Sequence, residues 1–177
     1  MRVVLAPNAF KGSLTAMEAA EAMAEGVRSV IPTADLVLVP IADGGDGTVE
    51  ALVRAAGGTR RRRRVRGPLG EPVDAEYGVI DGGATAVIEM ARAAGLVLLA
   101  PERRDPGLTT TFGVGQLLQD AWDSGVRRFI VGIGGSATND GGAGCARAFG
   151  LRFLDRDGDE LDPGGGPLAL LDRIDAS

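Results

Sequence analysis

Apolar positions along this chain alternate between short continuous runs and helical spacing, and the order of the two predicts a largely parallel α/β arrangement. Val3 to Ala6 is a short apolar run ending at Pro7, the pattern of a buried strand. From Thr15 to Ser29 apolar residues recur at Ala19, Ala20, Met23 and Val27, which is helical spacing. Ser13 or Thr15 can cap this helix, and Glu18 stands three residues past Thr15 as the other half of a capping box. Asp35 to Ile41 predicts a second strand. The glycine turn Asp43-Gly44-Gly45-Asp46-Gly47 then opens an Ala-rich helix over about Thr48 to Ala56.

The texture changes at Thr59. The arginines at positions 60 to 64 and 66 flank Val65 and lead through Gly67-Pro68-Leu69-Gly70 to two alternating runs, Val73 to Ile80 and Thr85 to Met90. Asp81-Gly82-Gly83 between them predicts an antiparallel hairpin. After a Pro-bounded loop, Pro101 to Pro106, the pattern predicts a helix at Thr110 to Ser124 and a buried strand at Phe129 to Ile133. A glycine-rich loop, a short helix at Ala143 to Phe149, a strand at Leu151 to Leu154 and a polar Asp/Gly tail follow. We place a division near residue 72, giving units of 1–72 and 73–177. The arginine run suits a solvated edge strand whose like charges discourage edge-to-edge pairing, rather than a nucleic-acid patch.

Composition narrows the chemistry. Hydrophobic residues make up 45% and aromatics only 4%, so the core is built from Val, Leu, Ile and Ala. A net charge of −5 argues against nucleic acid as the main partner. One cysteine, Cys145, excludes an internal disulfide and fits a reducing, cytoplasmic setting. The opening apolar run is too short for a signal peptide, and nothing approaches a membrane span. Histidine is absent. A general base must therefore be Asp, Glu or Lys, and a metal site must use oxygen ligands, which favours Mg²⁺ or Mn²⁺ over zinc.

The 28 glycines gather at the ends of apolar runs, where ligands of parallel sheets collect. The first loop carries Asn8, Lys11 and Ser13; Lys11 is the single lysine among 19 Lys and Arg. A compact ammonium can approach one oxygen where a planar guanidinium cannot. The second loop carries Asp43 and Asp46. The third carries Gly134, Gly135, Ser136, Thr138, Asn139 and Asp140. One Lys, three carboxylates and many small donors suit phosphoryl transfer, which needs charge neutralisation and positioning more than covalent chemistry. The P-loop pattern is absent, and Gly132-Ile133-Gly134 lacks the third glycine of a dinucleotide fingerprint, since Ala137 stands there.

Four stretches resemble the bacterial glycerate kinase family: Ala6 to Leu14, Ala42 to Thr48, Thr109 to Gly115 and Gly132 to Gly142. The resemblance runs over the whole chain. It implies a flavodoxin-like parallel-sheet domain plus a smaller, mixed β/α swivelling domain, with the active site between them. It also implies transfer of phosphate from ATP, with Mg²⁺, to D-glycerate, giving 2-phosphoglycerate. The expected partners are this small substrate and a nucleotide, with no nucleic acid and no membrane, and self-association left open. Family members are roughly twice this length, so the resemblance covers their N-terminal half, and the flavodoxin-like sheet should be incomplete. A truncated homologue that binds an anion or a partner without turnover is the alternative.

For roles, Lys11 should neutralise the substrate carboxylate or the transferring phosphoryl group. One of Asp43 and Asp46, the latter by preference, should hold Mg²⁺. Asp140 should position substrate or act as base, and Asp43 is the other catalytic carboxylate. Asn8, Ser13, Gly134, Gly135, Ser136, Thr138 and Asn139 should contact substrate or phosphate. The structural alternatives are that the aspartates merely cap helices and that the loop hydroxyls only bond their own backbone. Glu89, in an apolar run, is a further candidate because a buried carboxylate is costly without a partner.

Overall fold

The computed structural model describes residues 1–10 and 13–177, so Lys11 lies outside the described residues. The chain forms strands β1 (Arg2–Leu5) and β2 (Asp35–Leu38), which pair in parallel across helix α1 (Ala16–Val30). The expected capping box is present: Thr15 Oγ1 accepts from the Glu18 N–H at 3.2 Å and Glu18 Oε2 from the Thr15 N–H at 2.7 Å. Ala19, Ala20 and Ala24 bury the inner face of α1. β2 ends at Leu38, before the expected Ile41. The Val39 and Ile41 N–H groups still bond Leu5 and Pro7 carbonyls beyond it.

Helix α2 (Thr48–Ala56) leads into a four-stranded mixed sheet of β3 (Thr59–Arg66), β4 (Pro72–Ile80), β5 (Thr85–Glu89) and β6 (Arg128–Gly132), in that spatial order. β3, β4 and β5 run antiparallel; β5 and β6 are parallel. Every residue of β5 is buried because both faces are covered. Ala86 and Ile88 join Tyr77, Val114 and Leu117 on the side of α3 (Ala91–Ala94) and α4 (Phe112–Asp123). Val87 packs with Ile80 and Val49 of α2 on the other.

The arginine run is an edge strand, as its charge pattern implied, but β3 pairs with β4 along its whole length. Residues on either side of the expected division near 72 therefore share one sheet and one core. The composition shift there marks a solvated edge, not a linker. The chain closes with α5 (Ala143–Ala148), β7 (Arg152–Leu154) and β8 (Arg173–Asp175), the last two antiparallel. The expected polar tail thus ends in a strand, whose three residues are too few to show a period. None of the helices described is long and apolar enough to cross a membrane.

On the α4 face of the sheet, Tyr77 Oη donates to Asp120 Oδ2 at 2.6 Å and Arg63 Nε donates to Oδ1 at 2.6 Å. Burial pushes the Asp120 carboxyl up, but the Tyr77 hydroxyl and Arg63 guanidinium outweigh it and hold it below its ordinary value. A carboxylate lowered by folding contributes stability above its unfolded pKa and loses it as pH falls through the folded value. The urea-midpoint gap between wild type and Asp120→Asn should be wide at neutral pH and close as pH drops below about 4. A gap independent of pH would show that the charge of Asp120 does not stabilise the fold.

Candidate active site at the glycine loops

Three loops leave β1, β2 and β6, and two of them touch backbone to backbone. The Gly134 N–H donates to the Gly44 carbonyl at 2.9 Å. A Cβ on Gly134 would stand 2.7 Å from the Gly45 Cα, and one on Gly132 would stand 2.5 Å from the Gly44 oxygen. Only glycine permits this approach. It sets the Asp43–Gly47 turn against the end of β6.

The result is a cleft of about 230 Å³ lined by Asn8, Ala9, Asp43, Gly45, Asp46, Gly134 and Gly135. A second cleft, about 260 Å³, adjoins it through Ala9 and Asp46, which line both, and adds Ser13, Glu18, Glu50 and Arg92. Asn8, Ser13, Asp43, Asp46, Gly134 and Gly135 are thus brought together from three separate loops.

Asn8 Nδ2 donates to Asp43 Oδ2 at 2.7 Å, and the Gly45 N–H donates to Oδ1 at 3.0 Å. These two bonds, that from Asn8 first, hold the Asp43 carboxyl below its ordinary value. It stays ionised at neutral pH while still facing solvent. Asp46 is exposed between the clefts. The two carboxylates suit Mg²⁺, which is usually held by one or two carboxylates while substrate phosphates and water complete its shell.

The other residues of the third loop are placed differently. Ser136 Oγ lies 2.8 Å from Thr138 Oγ1 and accepts from the Thr138 N–H at 3.1 Å. Their hydroxyls brace the loop rather than face either cleft. Asn139 is exposed, outside both linings.

Asp140 is 2% exposed. It accepts from the Thr111 N–H at 2.8 Å, the Thr111 hydroxyl at 2.9 Å, and the Gly142 and Gly144 N–H groups at 3.0 Å each. Its lone pairs are committed to the start of α5 and to the Thr110-Thr111 turn. That setting is a structural cap, not the base or substrate contact expected of Asp140. α4 starts at Phe112, with Thr111 as its N-cap, two residues past the expected Thr110.

Glu89 has the same kind of role beside the clefts. Its side chain is fully buried; Oε1 accepts from the Val49 N–H in the first turn of α2 at 2.6 Å, and Oε2 pairs with Arg92 Nε at 2.9 Å. This carboxylate fixes the start of α2 and steadies the Arg92 side chain at the second cleft. Arg92 was not among the expected site residues. Nothing in the local pattern reveals it: Glu89 ends β5 and Arg92 lies in α3, so the helical i,i+3 rule for ion pairs does not join them.

The model of the glycerate kinase family matches residues 3–177. The chain belongs to the glycerate kinase family. It is 54% identical over 177 residues to the glycerate kinase of Bacillus subtilis, covering 100% of this chain and 46% of that protein. Identity to the glycerate 2-kinase of Escherichia coli is 50%, with the same coverage. A crystal structure described as glycerate kinase 2 from Salmonella typhimurium LT2 superposes with a TM-score of 0.82 at 48% identity, over 100% of this chain and 48% of that one. The chain thus spans a little under half the length of these relatives.

Two substitutions test the local architecture. Gly134→Ala forces a methyl into the backbone of the second loop and should lower stability by about 2 kcal/mol, the scale of an overpacked contact. Asp140→Ala strands several buried donors and should cost about 3 kcal/mol or more. Chemical denaturation measures both. Neutral outcomes would mean that neither contact organises the loops.

Proposed function

We propose that this chain contributes the carboxylate and glycine-loop part of an ATP-dependent kinase that phosphorylates D-glycerate to 2-phosphoglycerate. The observation that carries the reading is the convergence of Asn8, Asp43, Asp46, Gly134 and Gly135 on one cleft. Family membership supplies the reaction class.

Asp43 and Asp46 would hold Mg²⁺, which when bound neutralises charge on the phosphates. The lowered pKa of Asp43 suits holding charge more than taking a proton, since a good base titrates near working pH. Phosphoryl transfer through a loose transition state needs little base strength, so this is no handicap. Exposed N–H groups of the glycine turns would orient phosphate oxygens, and Ser13 would contact substrate in the second cleft. Lys11 would neutralise the substrate carboxylate or the transferring group. Asp140 would act on the site only by shaping the third loop.

A coupled ADP-release assay with D-glycerate and Mg·ATP tests the reading on this chain and, in parallel, on the longer B. subtilis relative. Asp43→Asn should leave the fold intact and reduce turnover by about 10² or more, the effect of losing one oriented transition-state group. Lys11→Arg should cost a similar factor despite keeping the charge. Near-normal rates in both variants would remove these residues from the chemistry. Turnover in the relative with none in this chain would favour a binding role without catalysis.

A further inference from the structure

A larger cavity, about 310 Å³, lies away from the glycine loops, between the end of β3, the start of α4 and the α5–β7 segment. Its size falls at the lower end of small-molecule sites, about 300–1,000 Å³. Three arginines line it, Arg66, Arg147 and Arg152, against one carboxylate, Glu160. The surplus of cations is notable in a chain whose net charge is −5.

The guanidinium groups keep capacity for a ligand. Arg66 has no carboxylate within ion-pair distance among the described residues, and its guanidinium stacks 4.6 Å from the centre of the Phe112 ring. Arg152 reaches Glu160 and Asp175 only at 3.8 and 3.7 Å, longer than charge-assisted hydrogen bonds of about 2.7–2.9 Å. Arg147 directs one terminal nitrogen at the Leu161 carbonyl at 2.6 Å, which fixes its place at the cavity wall. Leu108, Phe112 and Leu151 supply apolar surface beside these charges.

We propose that this cavity binds a small phosphate ester with a flat, apolar body. The dianionic phosphate would lie on the three guanidiniums, whose planar forks match its oxygens, and the flat group against Phe112 and the leucines. The assignment does not rest on the kinase reading of the glycine loops.

Titration calorimetry of the 177-residue chain at low salt tests it, with phenyl phosphate as probe and phenol as control. One-to-one binding of phenyl phosphate is expected, with phenol far weaker. Arg66→Gln and Arg152→Gln should each weaken it by about tenfold, the loss of one charge-assisted contact. Both side chains are at the surface, and circular dichroism would verify that the variants fold. The proposal falls if phenyl phosphate gives no binding, or if phenol binds equally well. It also falls if both variants retain wild-type affinity, which would place the anion elsewhere, for instance at the glycine loops.

Discussion

The contact on which the candidate site depends is peptide against peptide. The Asp43–Gly47 turn and the end of β6 lie so close that a Cβ on Gly132 or Gly134 would run into the backbone of Gly44 and Gly45. That approach joins the two-stranded β1–β2 sheet to the four-stranded sheet and places Asp43 and Asp46 beside Gly134 and Gly135. Here glycine serves less for a left-handed dihedral than for having no Cβ. Gly132 and Gly134 have ordinary backbone angles, so alanine would fail on contact distance alone.

Two buried carboxylates make the contact reproducible. Glu89 takes up an N–H from the first turn of α2, and Asp140 takes up N–H groups before and within the first turn of α5. A carboxylate in apolar surroundings is tolerable only with charged or dipolar partners, and a helix N-terminus offers both free donors and favourable potential. Each helix begins with a left-handed glycine that gives no side-chain cap, Gly47 for α2 and Gly142 for α5. The cap is supplied from a distance in the first case and from two residues earlier in the second. The glycine loops thus stay open at the surface while their helices are anchored from below.

Much of this was legible in the chain itself. The strong periods of α1 and α2, the Thr15–Glu18 capping box and the Asp-Gly turn between β4 and β5 are local features, and they form where local rules place them. The clustering of Asn8, Asp43, Asp46 and two loop glycines was legible from the rule that ligands gather at strand ends. Three things were not. β8 is too short to carry a period. The pairing of β3 with β4 is invisible to a reading that takes the arginine run as an edge strand but divides the chain near residue 72, between that strand and its partner. The burial of Asp140 is a tertiary fact: sequence shows an aspartate in a glycine loop, and only the Thr110-Thr111 turn, about thirty residues earlier, decides that it faces inward.

That last distinction separates the acids by chemistry. Asp43 and Asp140 each sit in an Asp-Gly-Gly sequence after a strand, yet one faces solvent with two hydrogen bonds and the other is enclosed with its lone pairs filled. A carboxylate can bind a metal ion or a phosphate's counter-charge only while it keeps free lone pairs and an open approach. Asp43 and Asp46 meet that condition; Asp140 and Glu89 do not, because their bonding is spent on backbone and arginine. Asp43 and Asp46 share the charged lining of the two clefts with Glu18, Glu50 and Arg92, while the enclosed pair anchors the helix starts that hold the loops in register.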